Sequence, residues 1–178
     1  QGLWSQYLEV GIGPDAEIFT KAQPLSAVGC GADAGLHPES HWNNPEPAIA
    51  LAVASTQRVV GASLANAVHL RDFAGRSALL LGRAKDNNAS ASVGPFIRLF
   101  DEGFSLDDVR AESVTLSVEG DDGFRMAAES HMAQISRDPA DLVRQASGHH
   151  HAYPDGFVLY LGTMFAPTDD RDEPGHGF

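Results

Sequence analysis

In "HWNNPEPAIALAVAS", residues 41–55, a single carboxylate, Glu46, stands between Pro45 and Pro47 at the mouth of an apolar run. The two pyrrolidine rings lock φ at their own positions and push the residues before them into extended geometry. A carboxylate presented on so stiff a backbone suits a hard cation, because magnesium accepts little departure from octahedral oxygen coordination. The plain alternative is a surface glutamate in a proline-rich turn. Residue 48, the next position on the same side of a strand, is alanine and can ligate nothing.

Other residue types could also do chemistry. Lys85, in "GRAKDNNASASVGPF", precedes a strand-like segment and could point its ammonium into a cleft to bind a carboxylate or an oxyanion. The alternative is a lysine that snorkels to the surface. Gly162 and Thr163, in "YLGTMF", offer backbone groups and a hydroxyl for a small anionic ligand. His149, His150 and His151 are consecutive, and consecutive residues do not share a face, so they read as loop or cap residues rather than a metal site. "GIGP" near the start lacks the following helix and glycines of a dinucleotide fingerprint.

These residues need elements to position them. Residues 48–54 read as a buried strand, and 58–70 as its continuation after a turn at Thr56 and Gln57. Residues 73–84 read as a short helix, and 94–100 and 113–120 as strands. The Asp-Gly signal in "EGDDGF" predicts a hairpin that pairs 124–129 with 113–119. Asp138 and Pro139 begin the clearest helix, which should end near Gly148. Residues 156–165 read as a further apolar strand, and residues 1–47, rich in Gly and Pro, as short strands and ordered loops. The fold class expected is therefore mixed, strand-rich α/β with few helices.

The chain has 178 residues, enough for one domain with a real core, and no internal repeat. A formal net charge of −12 repels phosphate backbones, so nucleic acid is not an expected partner. Cys30 is the only cysteine, which excludes an internal disulfide and a cysteine-based zinc site and fits a cytoplasmic setting. No apolar run approaches the roughly 20 residues of a membrane span, and no secretory leader is read. Gln1 in place of Met, and turn-forming residues at the other end, read as a partial domain spanning 1–178.

Several pieces, taken in order, resemble one family: "GLWSQYLEVGIGPDAEIFTKAQPLS", "HWNNPEP", "HLRDFAGRSALLLGRAKDNNAS", "GPFIRLFDE", "SLDDVR", "ISRDP", "YPDGFVLYLGTMFAP" and "DRDEPGHGF". The family is that of fumarylacetoacetate hydrolase, in its branch of 2-keto-3-deoxy-D-pentonate dehydratases. The resemblance covers essentially the whole chain. It implies mixed sheets curled into a roll, with Mg²⁺ or Mn²⁺ held at the open end by a Glu-x-Glu pair and a downstream Asp, and with a lysine further on. Carried over, the first Glu is Glu46 and the lysine is Lys85, which would bind substrate or assist proton transfer, while Gly162 and Thr163 would hold the carboxylate. The second Glu falls on Ala48 and the Asp on Ala67, so the cation should bind weakly or not at all.

What the resemblance implies for chemistry is dehydration of a 2-keto-3-deoxy sugar acid through a metal-stabilised enolate. The alternative is a catalytically inactive domain of the same family with a binding or structural role. His69 lies on the same face as Ala67 and could join Glu46 in a site better suited to Zn²⁺ or Mn²⁺. Arg71 and Asp72 read as a structural ion pair beneath the site. A small-molecule 2-keto acid is the expected partner, and a homodimer the common assembly of the family.

Overall fold

The computed structural model describes residues 6–165 and 167. Its centre is an antiparallel pair, β3 (Pro47–Val53) and β4 (Val59–Ala67), joined by the turn that contains Gln57 at φ 65°. β3 is buried on both faces, which explains why "PAIALAV" shows no alternation. The pair lies in a six-stranded sheet of order β1 (Val28–Gly29), β6 (Ala91–Val93), β4, β3, β10 (Phe157–Tyr160), with β7 (Arg98–Leu99) also paired to β4. Gly156, at φ +80°, lies just ahead of β10; a Cβ there would sit 2.3 Å from the Val53 carbonyl oxygen, so only glycine fits this approach.

Ile49, Leu51, Val53 and Ala62 turn one face of the sheet onto the main core. That core is closed by the hairpin β8 (Ser113–Glu119) and β9 (Arg125–His131) and by helices α4 (Leu106–Ala111) and α5 (Pro139–Ser147). A second core of Val68, Leu70, Phe73 and Ala84 lies under α2 (Arg71–Arg76) and α3 (Leu81–Lys85). The sheet curls: the Tyr160 hydroxyl on β10 donates to the Ser92 carbonyl on β6, 2.9 Å away, across two intervening strands. In a flat sheet those strands would be about 14 Å apart, beyond the reach of a tyrosine. The strand-rich α/β class and the curled sheet are as expected.

The hairpin and the capped α5 match their sequence signals, with Asp138 accepting from the Ala140 N–H at 2.8 Å. Elsewhere the boundaries differ. Residues 73–84 are not one helix but α2, a 3₁₀ turn and α3, because Ser77 is extended (φ −167°) and caps the next turn instead of continuing the helix. The strand expected over 94–100 reduces to β7, while β6 forms earlier; Gly94 and Pro95 carry the turn between them, and proline has no N–H for a ladder. The strand expected over 156–165 stops at Tyr160, ahead of Gly162 at φ +78°. Two helices were not read from the sequence: α1 (Gln6–Ile12) in the Gly- and Pro-rich opening, and α4, whose capping box joins Ser105 and Asp108.

Candidate functional site

The strip of chain ahead of β3 continues the ladder of the central pair. Glu46 and Ala67 exchange both backbone hydrogen bonds, N–H to O at 3.1 and 3.0 Å. Ala48 pairs with Ala65 on one side, and Asn44, in β2 (Asn43–Asn44), pairs with His69, in β5 (His69–Leu70), on the other. Alternation along this continuous register puts Asn44, Glu46, Ala48, Ala65, Ala67 and His69 on one face, away from the main core. Positions 46, 48 and 67 are thus neighbours, and two of them carry only buried methyl groups, Ala48 and Ala67.

The carboxylate of Glu46 is fully engaged. His69 Nδ1 lies 2.7 Å from Oε1 and Lys85 Nζ lies 2.5 Å from Oε2. Burial alone would push the Glu46 carboxyl up, but the His69 hydrogen bond and the charge of Lys85 outweigh it and hold the group below the usual carboxylate range. Lys85 is itself buried at the end of α3, with its ammonium 5.7 Å from the centre of the Phe19 ring. The Nε2 of His69 and the Oδ1 of Asn44 are buried and have no partner among the described residues.

Lys21 is the site residue that sequence reasoning missed. Lys21 and Lys85 are the only lysines in the chain, and the fold brings them together. The Lys21 ammonium donates to the Lys85 carbonyl oxygen and, at 2.7 Å, to Ser90 Oγ. Burial and the neighbouring Lys85 charge bring its pKa down to about 8. The available signal was scarcity: an acidic chain with just two lysines, each within a segment rich in small residues.

Other expectations fare differently. The Thr163 hydroxyl closes a local turn, donating to the Phe165 carbonyl at 2.7 Å and accepting from the Phe165 N–H at 3.2 Å. Arg71 and Asp72 do not pair with each other. Arg71 stacks on Trp42 at 5.0 Å and donates to the Pro167 carbonyl, while Asp72 accepts from Ser40 Oγ and the His41 N–H, both at 2.9 Å. Adjacent helical residues point about 100° apart, which separates the two charges. His149–His151 follow α5 in a turn, with the His150 and His151 rings 4.9 Å apart.

Of positions 46, 48 and 67, only 46 carries an oxygen side chain that could meet a divalent cation. Among the described residues no three His, Cys, Asp or Glu side chains gather in a way that could hold a metal ion. Both oxygens of Glu46 already face cationic or N–H partners, and the opposing positions are methyls. Among the described residues no helix is long and apolar enough to cross a membrane.

No family model matches the chain. Among curated proteins it is 29% identical over 162 residues to 2-dehydro-3-deoxy-D-arabinonate dehydratase of Saccharolobus solfataricus, covering 87% of the chain and 51% of that protein. It is 25% identical over 166 residues to a probable 2-keto-3-deoxyxylonate dehydratase of Haloferax volcanii, covering 93% and 56%. The chain therefore spans about half the length of the curated relatives it matches. A solved 2-keto-3-deoxyarabinonate dehydratase superposes with a TM-score of 0.76 at 26% identity, over 87% of the chain and 54% of that structure. A 2-keto-3-deoxy-D-arabinonate dehydratase in complex with magnesium and 2,5-dioxopentanoate shares the fold, with a TM-score of 0.84 at 24% identity over 94% and 58%.

Proposed function

Taking the chain as a member of the fumarylacetoacetate hydrolase superfamily, to which its dehydratase relatives belong, we propose that it is a lyase-type domain whose site receives a 2-keto-3-deoxy sugar acid but grips Mg²⁺ or Mn²⁺ weakly or not at all. The observation that carries this reading is the ladder that sets Ala48 and Ala67 beside Glu46 while Lys85 and His69 occupy the Glu46 carboxylate. Dehydration of such an acid removes a C3 proton and expels the C4 hydroxyl, building negative charge on the 2-oxo oxygen. Lys85 spends one N–H on Glu46 and keeps two for that oxygen. Gly162 and Thr163 would contribute through their backbone N–H groups, since the Thr163 hydroxyl is committed to its turn.

The second reading, a binding domain without turnover, is favoured by the two methyl groups themselves. Losing a partner outside the coordination shell already costs about 10- to 100-fold in affinity or activity, and these are positions that would touch the ion. The resemblance and the exposed apolar side chains Leu64, Phe96, Ile97 and Leu99 support association of two copies, which sedimentation velocity would report.

Calorimetric titration with Mg²⁺ and Mn²⁺, followed by assay with a 2-keto-3-deoxypentonate, tests the assignment. The chain should bind the acid, take up little metal and eliminate little water. The double variant Ala48→Glu, Ala67→Asp should gain metal binding. A double variant that folds and still binds no metal would show that 46, 48 and 67 are not a metal constellation. Ready turnover by the unaltered chain would remove the metal-poor reading.

A further inference from the structure

Beside α3 lies an open cavity of about 450 Å³, lined in part by Phe19, His37, Arg83, Asp86 and Asn87. It does not include Glu46 or Lys85, but Phe19 belongs to both regions, since its ring also faces the Lys85 ammonium. Arg83 pairs with no carboxylate among the described residues. Its contacts are the Phe73 ring, 5.5 Å from Cζ, and His37, whose Nε2 lies 3.0 Å from Nη2.

The His37 contact cannot satisfy the guanidinium. The Glu39 backbone N–H points at His37 Nδ1 at 3.1 Å, and Arg83 points an N–H at Nε2. A guanidinium has only donors, and a neutral imidazole has one acceptor nitrogen. Two N–H groups therefore compete for one lone pair, whichever tautomer forms, and a protonated ring would accept neither. Arg83 is exposed, and on the cavity side its remaining N–H groups face solvent rather than a protein acceptor among the described residues. Asp86 also lines the cavity but forms no ion pair with Arg83 among the described residues.

We infer that this cavity is a carboxylate-binding subsite headed by Arg83, separate from the Glu46–Lys85 cluster. A planar guanidinium already braced on an aromatic ring is pre-organised for the forked geometry of a carboxylate. The subsite goes beyond the proposed function and does not depend on it, since a 2-keto-3-deoxypentonate carries a single carboxylate and a distal one would mark a dicarboxylate ligand. Residues two apart on a helix do not face each other, so Arg83 and Lys85 present their charges on different sides of α3. The carboxylate and 2-oxo oxygens of one 2-oxo acid, only one bond apart along its carbon chain, do not span both. The anion at Arg83 is either a second, distal carboxylate of the acid bound at Lys85 or a separate carboxylate ligand.

Three probes resolve this on the full chain by calorimetry: pyruvate, glutarate and 2-oxoglutarate. Glutarate should bind, and Arg83→Gln should weaken glutarate and 2-oxoglutarate at least 10-fold while changing pyruvate less than 2-fold. If 2-oxoglutarate binds far more tightly than either other probe, the carboxylate belongs to the 2-oxo acid. If glutarate and pyruvate bind together with no gain for 2-oxoglutarate, the carboxylate is a separate ligand. Arg83-dependent glutarate binding without pyruvate binding keeps the subsite and removes the 2-oxo-acid reading of Lys85. Absence of glutarate binding, or unchanged binding by Arg83→Gln, overturns the proposal. Should that variant unfold, Arg83→Lys takes its place; it keeps the charge, loses the fork, and should weaken glutarate about 3- to 10-fold.

Discussion

Glu46 is held between an imidazole and an ammonium, and its stability contribution has a defined sign. Its folded-state pKa lies below the ordinary 4.5, so the contribution is present above that value and is lost as pH falls through the folded value. Glu46→Gln should therefore flatten the acid limb of the stability curve in urea titrations carried below the ordinary 4.5. At neutral pH the same variant leaves Lys85 without its charge partner and should cost about 3 kcal/mol, the range seen when one member of a buried pair is removed. Lys21 works in the opposite direction. Its folded pKa of about 8 lies below the ordinary lysine value of 10.5, so the unfolded chain binds the proton more tightly. The penalty is complete below pH 8 and is relieved as pH rises toward 10.5. Lys21→Met should remove that rise, which thermal melts between pH 7 and 10 would read.

Short elements carry the site, and each is fixed by a local device rather than by its own length. α3 spans Leu81–Lys85, too few residues to be stable alone, and its last carbonyl is held by Lys21 and by Ser90 Oγ at 3.0 Å. Glu46 belongs to no assigned strand, yet its two backbone bonds to Ala67 extend the central pair past Pro47. On the far side, Asp138 caps α5 and also receives Arg110 through two nitrogens, at 2.6 and 2.9 Å. Asp138→Ala should cost about 1 to 1.5 kcal/mol, most of it from the cap and a few tenths from the exposed ion pair. Guanidinium denaturation would measure it, with the spectrum of the sheet unchanged.

At the scale of the molecule, the curl of the sheet is tied by Tyr160, whose hydroxyl spans from β10 to β6. Burial pushes its phenol up to about 12, so absorbance titration should show one of the three tyrosines ionising near that value. Tyr160→Phe should remove that step and cost about 1 kcal/mol, since the Ser92 carbonyl loses a partner. Amide exchange along β6 and β4 should quicken in the same variant. A late step in the titration that survives the substitution would place the shifted phenol elsewhere.

The residues by themselves determined the strand-rich class, the hairpin at "EGDDGF", the capped α5 and the stiff presentation of Glu46, because each rests on local chemistry: period-two burial, turn glycines, a cap, two proline rings. The resemblance carried two expected ligand positions onto Ala48 and Ala67. Only the tertiary structure decided what surrounds Glu46. That Lys85 and His69 take its two oxygens, that Lys21 joins them across 64 residues of sequence, and that Arg83 and the Glu39 N–H compete for His37 are consequences of long-range register. Arg71 and Asp72, adjacent in sequence, take different partners because neighbouring helical residues point about 100° apart. Side-chain partnership depends on where a folded backbone aims each bond, and local sequence specifies that aim only within a turn or a strand.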